Sequence, residues 1–171
     1  LALIEQLGEI NGKKSLQKLV YLARAFGIET GYSFRFHYYG PYSDSLAADF
    51  EQLLEGGQVS LIDNSKFKYK KTDSFPKVTS AQMELDTDEQ TKLQKLLEDF
   101  GDKSPSELEL YATIYFIDHN EKYVLGNYSE EEVLMKTQKA KPRYSPEKIK
   151  QAYNELNDKG LLYMPKKSFQ N

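Results

Sequence analysis

Chemistry in this chain would have to come from a thin set of side chains. There are two histidines, His37 and His119, and no cysteine. Thiolate catalysis, disulfides and cysteine-based zinc sites are therefore excluded. The histidines lie far apart in different elements, and neither has the His-x-x-x-His or Glu-His spacing of a metal site. Asp118-His119-Asn120-Glu121 is a polar cluster, but it falls where an apolar helix runs out and polar residues are expected anyway. No Gly-x-x-x-x-Gly-Lys or Gly-x-Gly-x-x-Gly loop is present to cradle phosphate, and no Gly-x-Ser-x-Gly elbow to present a nucleophile. Carboxylates are plentiful, yet they gather in helix first turns such as Glu130, Glu131 and Glu132, where the helix dipole favours them. Nothing here asks for an enzyme, a metal or a cofactor.

Binding chemistry has better candidates. Tyr32 to Leu46 reads YSFRFHYYGPYSDSL. As a strand it sets Tyr32, Phe34, Phe36 and Tyr38 on one face, and Arg35, His37 and Tyr39 on the other. The aromatic face is expected to pack into the core, because a sheet must bury one face; a stacking platform for single-stranded nucleic acid is the competing reading. The second face, with Tyr42 beyond the rigid Gly40-Pro41 turn, then becomes the partner surface: Arg35, His37, Tyr39 and Tyr42 are the aromatic and cationic anchors of a protein interface. A second candidate is basic. From Lys136 to Lys150 the chain carries six cations against Glu147 alone. Lys141, Arg143, Lys148, Lys150 and Lys159 form the set that would meet nucleic-acid phosphates, with the Lys66–Lys71 hairpin as a basic wing. The helix after Ser43 carries Asp44, Asp49, Glu51 and Glu55 and no cation, so it is a poor reader of DNA.

These side chains need elements to position them. Leu3, Ile4, Leu7 and Ile10 predict a first helix ahead of Asn11-Gly12. Leu16, Leu19, Val20, Ala23 and Phe26 predict an amphipathic helix stopped by Gly27. Lys13, Lys14 and Lys18 at its start oppose the positive end of its dipole and read as a solvated turn. A strand over 33–39 follows, then a helix capped by Ser43 or Asp44 and closed by Gly56-Gly57. Val59–Ile62 and Phe67–Lys71 predict a hairpin, and residues 73–83 a polar connection. Four capped helices follow, at Thr87-x-x-Gln90, Ser104-Pro105-Ser106-Glu107, Ser129-x-x-Glu132 and Ser145-Pro146. The second of them, Leu108 to Ile117, is apolar all round and expected to be central. A short strand is expected over Leu161 to Met164. The stretches Leu46–Gly57 and Ile149–Gly160 match in pattern, each a helix with a glycine stop feeding a strand, as at the tail of many winged-helix units.

The chain's 171 residues suffice for one ordinary domain or two small lobes, with no disulfide or metal needed to hold them. Net charge is −3, from 23 cations and 26 acids, which argues against indiscriminate nucleic-acid binding. From Glu84 to Glu109 nine acids face three lysines. No apolar run approaches the roughly 20 residues that span a bilayer, and a cytoplasmic protein without membrane contact is expected.

Two marks in this sequence resemble a known pattern. One is Gly12-Lys13-Lys14-Ser15-Leu16-Gln17-Lys18-Leu19-Val20-Tyr21-Leu22. The other, about twenty residues on, is Phe36-His37-Tyr38-Tyr39-Gly40-Pro41-Tyr42-Ser43 with Leu46. Together they resemble the bacterial YwgA-type proteins and, more distantly, the SocA-like antitoxin domain, also called Panacea. The resemblance covers roughly residues 9–60. It implies a mainly helical domain with a small sheet, a protein partner that is neutralised or delivered, and neither catalysis nor a cofactor. The expected fold is α+β and predominantly helical, helices around a small antiparallel sheet with winged-helix-like helix–strand units. Residues 1–80 are the part that resembles the YwgA and SocA-like pattern, and 85–171 a helical region packed with it as one domain. The expected function is a protein-binding, antitoxin-like module; the alternative is a winged-helix DNA-binding regulator using the basic 136–159 segment.

Overall fold

The computed structural model describes residues 1–63, 65–76, 87–126 and 129–162. Among them the fold is α+β and mostly helical: seven α-helices, one three-stranded antiparallel sheet and a separate two-stranded hairpin. The chain divides into two compact units, Leu1–Glu109 and the part from Leu110 onward. Among the described residues no helix is long and apolar enough to cross a membrane.

In the first unit, helix α1 (Ala2–Leu7) ends sooner than its apolar spacing predicts. Gly8 takes a positive φ of 68°, and Ile10 then falls in strand β1 (Glu9–Asn11), pointing inward. Helix α2 (Gly12–Leu22) follows and continues into a 3-10 turn, Ala23–Phe26. Next come β2 (Arg35–His37) and β3 (Gly40–Tyr42), helix α3 (Asp44–Glu55), β4 (Val59–Leu61) and β5 (Lys68–Lys71). Strand β5 is central, pairing Ile10 with Tyr69 on one side and Val59 with Lys71 on the other. Ile4, Ile10, Leu16, Val20, Leu46, Phe50, Val59 and Phe75 make the core between this sheet and helices α2 and α3. Phe50 meets Tyr69 edge-on at 5.3 Å. Helix α4 (Thr87–Phe100) buries Leu93, Leu96 and Phe100, with Phe100 edge-on to Phe26 at 6.1 Å.

Helix α5 (Pro105–Asn120) starts in the first unit and continues into the second. Its capping box forms as read: the Glu107 amide donates to Ser104 Oγ at 3.3 Å, and the Ser104 amide donates to Glu107 Oε2 at 2.9 Å. Residues 108–114 are all buried, as an all-round apolar helix requires. A single π turn, Glu121–Leu125, extends it. Helices α6 (Glu130–Ala140) and α7 (Pro146–Asp158) complete the second unit, capped by Ser129 and Ser145. Leu161 and Leu162, expected to open a strand, are not in one; the rest of that expectation, Tyr163 and Met164, lies outside the described residues.

Candidate functional site

Helix α2 does not behave as a surface helix. From Ser15 to Leu22 every residue is buried, including Gln17 and Lys18. The expectation of a solvated lysine turn is therefore wrong for Lys18, which is 1% exposed. Its ammonium donates to the Pro41 carbonyl at 2.5 Å. One residue earlier, Gln17 forms a two-bond clamp on Ser43. The Ser43 amide donates to Gln17 Oε1 at 2.9 Å, and Gln17 Nε2 donates to the Ser43 carbonyl at 2.8 Å. A side-chain amide thus imitates a neighbouring strand and satisfies buried backbone. These bonds tie the Lys-Leu-Gln-Lys-Leu helix to the Tyr-Gly-Pro-Tyr-Ser turn, so the two sequence marks are halves of one joint.

The joint aims the hairpin. Strands β2 and β3 pair Arg35 with Tyr42, Phe36 with Pro41 and His37 with Gly40, leaving Tyr38 and Tyr39 as a two-residue loop. Gly40 supplies the positive φ of 83° at its exit. The ribbon has only two short strands, so only its base reaches the body. Tyr32 and Phe34 are half-buried, and Phe34 lies edge-on to Tyr21 at 5.0 Å. Phe36 and Tyr38, expected in the core, are instead 42% and 80% exposed. A two-stranded ribbon cannot bury a full face, and the strand reverses direction before those side chains reach the core.

On this frame, Arg35, His37, Tyr39 and Tyr42 all line one cleft of about 430 Å³, with helices α2 and α3 forming its other walls. Its floor is Leu16, Leu46 and Phe50. The His37 ring is 5.7 Å from Tyr42 and 6.4 Å from Tyr39. The Lys14 ammonium sits 5.2 Å from the Tyr39 ring centre and donates to buried Glu109 at 2.6 Å. Two exposed ion pairs close the rim: Lys13 with Glu51, and Arg35 with Asp44 at 3.0 Å. The Glu51 carboxylate raises the Lys13 pKa by hydrogen bonding, so Lys13 is a fixed cation. Sequence reasoning found the four hairpin residues and missed Gln17, Lys14 and Lys18. Nothing in hydrophobic periodicity marks a buried lysine; the only signal is its place in the Lys-Leu-Gln-Lys-Leu mark.

The basic set of the second unit is dispersed. Lys141 is buried, at 3% exposure. The Arg143 guanidinium stacks on Tyr144 at 4.8 Å and donates to the Tyr144 hydroxyl at 2.7 Å. Lys148 is exposed at 5.8 Å from the same ring, and Lys150 pairs with Glu130. Lys159 is half-buried at the end of α7. The open groove along α7 sets Glu147, Glu155 and Asp158 beside Lys150. His119 lies 4.4 Å from Tyr123 and 6.0 Å from Tyr115, an aromatic setting. Among the described residues no group of three His, Asp or Glu could hold a metal ion.

No family model and no solved structure matches the chain. The chain is similar to the uncharacterized protein YwgA of Bacillus subtilis (strain 168), 27% identical over 154 residues that cover 88% of each chain.

Proposed function

We propose that this chain is a cytoplasmic protein-binding module that acts by occupying a partner through the cleft between α2, α3 and the β2–β3 hairpin. One observation carries the reading: Arg35, His37, Tyr39 and Tyr42 converge on that cleft, beside exposed Phe36 and Tyr38. Aromatic and arginine side chains around a rigid apolar floor are the composition of interface anchors. The likeness of the Lys-Leu-Gln-Lys-Leu and Tyr-Gly-Pro-Tyr-Ser marks to SocA-like antitoxin domains adds the role, neutralising or delivering a toxin-like partner. Those marks are the two halves of the joint that aims the hairpin. The test is quantitative affinity capture from native cells with three chains: unchanged, Arg35→Glu with Tyr42→Ala, and Lys148→Glu with Lys159→Glu. A protein lost only with the first pair supports the reading. The same proteins held by all three chains would sink it.

A second reading rests on topology. The order α1, β1, α2, α3, β4, β5 with sheet order β1-β5-β4 resembles winged-helix connectivity, which supports reading α3 as a recognition helix and β4–β5 as a wing. The hairpin β2–β3 replaces the usual tight turn between the two helices. Lys68, Lys70 and Lys71 suit a wing, but Asp44, Asp49, Glu51 and Glu55 on α3 repel phosphate. A DNA-binding regulator would then rely on Lys148, Lys150 and Lys159 in the second unit. Absence of any shift on a duplex panel at low salt removes this reading.

A further inference from the structure

Three rings that line the cleft keep their polar tips unused. Among the described residues, no group hydrogen-bonds to the Tyr39 hydroxyl, the Tyr42 hydroxyl or the His37 ring nitrogens. Elsewhere tyrosine hydroxyls are engaged inside the protein. Tyr32 donates to Asp49 at 2.7 Å, Tyr111 donates to Glu155, and Tyr144 accepts from Arg143 at 2.7 Å. The charges of the cleft differ from its hydroxyls in this respect: Lys13 pairs with Glu51, Lys14 with Glu109 and Arg35 with Asp44. A charged occupant would have to break one of these pairs, whereas an uncharged one leaves them standing. The backbone beside the cleft is closed too. Pro41 has no amide and its carbonyl accepts from Lys18 at 2.5 Å, while Gln17 holds both the amide and the carbonyl of Ser43. An extended strand has no edge to add to there. An α-helix would offer the tyrosine hydroxyls no backbone carbonyls, because its own bonds use them.

We infer that the cleft takes a proline-rich segment of a partner protein in the polyproline II conformation. This rests on the protein-binding reading and names the chemistry of its occupant. A polyproline II chain makes no internal hydrogen bonds and holds its carbonyls outward, about three residues per turn. Those carbonyls are acceptors for the Tyr39 and Tyr42 hydroxyls and the His37 ring N–H. The pyrrolidine rings lie against the aromatic faces and over the floor of Leu16, Leu46 and Phe50. The aromatic wall is continuous: His37 stands 5.7 Å from Tyr42 and 6.4 Å from Tyr39, tilted by 40° and 34°. Tyr38, 80% exposed, extends it edge-on to Tyr39 at 4.9 Å. Lys14, anchored on Glu109, holds the Tyr39 ring from 5.2 Å. Both partners are preorganised, the segment by its prolines and the cleft by the Gln17 and Lys18 bonds, so little entropy is lost on binding.

The test uses the full chain and fluorescein-labelled peptides of about a dozen residues with Pro-x-x-Pro spacing, x drawn from Ala, Leu, Ser and Pro. One matched set has alanine in place of every proline. Another alternates Val and Thr as a strand, and a third carries Leu, Ala and Gln as a helix. Anisotropy should find binders in the proline set alone. Their affinity should change less than about twofold between roughly 50 and 500 mM salt, because no charge pair forms. Tyr39→Phe with Tyr42→Phe keeps both rings, removes both donors, and should weaken binding at least about fivefold. Lys148→Glu, outside the cleft, should leave it unchanged. No binder in the proline set, equal binding of any matched set, a steep loss with salt, or affinity indifferent to the tyrosine substitutions would overturn the inference. Tighter cleft-dependent binding of a duplex would do so too. If the captured partner depends on Arg35 and Tyr42 while no proline peptide binds, this inference fails and the protein-binding reading stands. If proline peptides bind the cleft but capture is indifferent to it, the reading of the cleft as the partner surface fails instead.

Discussion

Replacing Gln17 with leucine will loosen the joint between α2 and the Tyr-Gly-Pro-Tyr-Ser turn. Leucine keeps most of the side-chain volume, so a cavity contributes little. What is lost is polar. Ser43 is 1% exposed, and its amide has Gln17 Oε1 as its acceptor at 2.9 Å. A buried donor left without an acceptor costs about 1–3 kcal/mol. The Ser43 carbonyl fares better, because it also accepts from the Ala47 amide at 3.1 Å as the first bond of α3. Loss of its second donor costs roughly 0.5–1 kcal/mol. The sum is about 1.5–4 kcal/mol, or roughly 3–16 °C in melting midpoint for a chain of this size. Urea unfolding followed by far-ultraviolet circular dichroism measures it, and tyrosine fluorescence is a clean second probe because the chain has no tryptophan. Hydrogen exchange adds the local readout, since the Ser43 amide should lose protection first. Ser15→Ala sets the scale: it removes one bond, from Ser15 Oγ to the Asn11 carbonyl at 2.7 Å, and should cost about 1 kcal/mol or less. If Gln17→Leu costs no more than Ser15→Ala and the Ser43 amide stays protected, the clamp is not what holds the turn.

Three further outcomes follow from the same geometry. Burial, and then the hydrogen bond to Asp49 at 2.7 Å, push the Tyr32 hydroxyl up to about 12, so one of the 13 tyrosines should ionise late in a tyrosinate absorbance titration, and Asp49→Asn should bring it down. Because the folded value lies above the unfolded one, Tyr32's contribution to stability is complete below about pH 10 and is lost as pH rises toward 12. Phe100→Ala, at a site with 0% exposure, should cost about 3–5 kcal/mol in urea unfolding. Ser104→Ala removes half of the α5 capping box and should cost about 1 kcal/mol by the same measurement.

What could be read in advance follows a physical division. Helices with serine caps were legible because capping depends on residues three positions apart; Ser43, Ser104, Ser129 and Ser145 all accept the amide that such a cap should bind. The hairpin β4–β5 was legible from alternation, within a residue at each end. Readings that needed distant partners went astray. Ile10 looked helical because its spacing from Leu7 fits a helix, but Gly8 ends α1 and strand β5 then claims Ile10. Phe36 and Tyr38 looked buried because alternation reports which side chains share a face, not whether anything covers it. Lys18 looked solvated because an acceptor it reaches, the Pro41 carbonyl, lies 23 residues away.

The four hairpin residues were found for a reason that also limits the reading. Arg35, His37, Tyr39 and Tyr42 are local to one turn, so composition alone could gather them. The α2 side of the cleft could not be gathered that way, because Lys13 and Lys14 stand about twenty residues upstream and look like a misplaced charge pair. The structure changes the meaning of that misplacement. Two like charges against a dipole cost roughly 0.3–1 kcal/mol each on an exposed helix end. Glu51 and Glu109 offset part of that cost from outside the helix, which keeps the lysines in position without removing them from the cleft. An arrangement that served stability alone would place an acid in the first turn of α2, as Asp44 does in α3. That difference between two adjacent helices, one with Asp44 at its start and one with lysines, sets the α2 lysines against α3 acids across the cleft and gives it its polarity. Lys14→Glu would bring α2 into line with α3 but set a carboxylate against buried Glu109, so Lys13→Glu, on the exposed side, is the cleaner probe of whether that polarity serves binding.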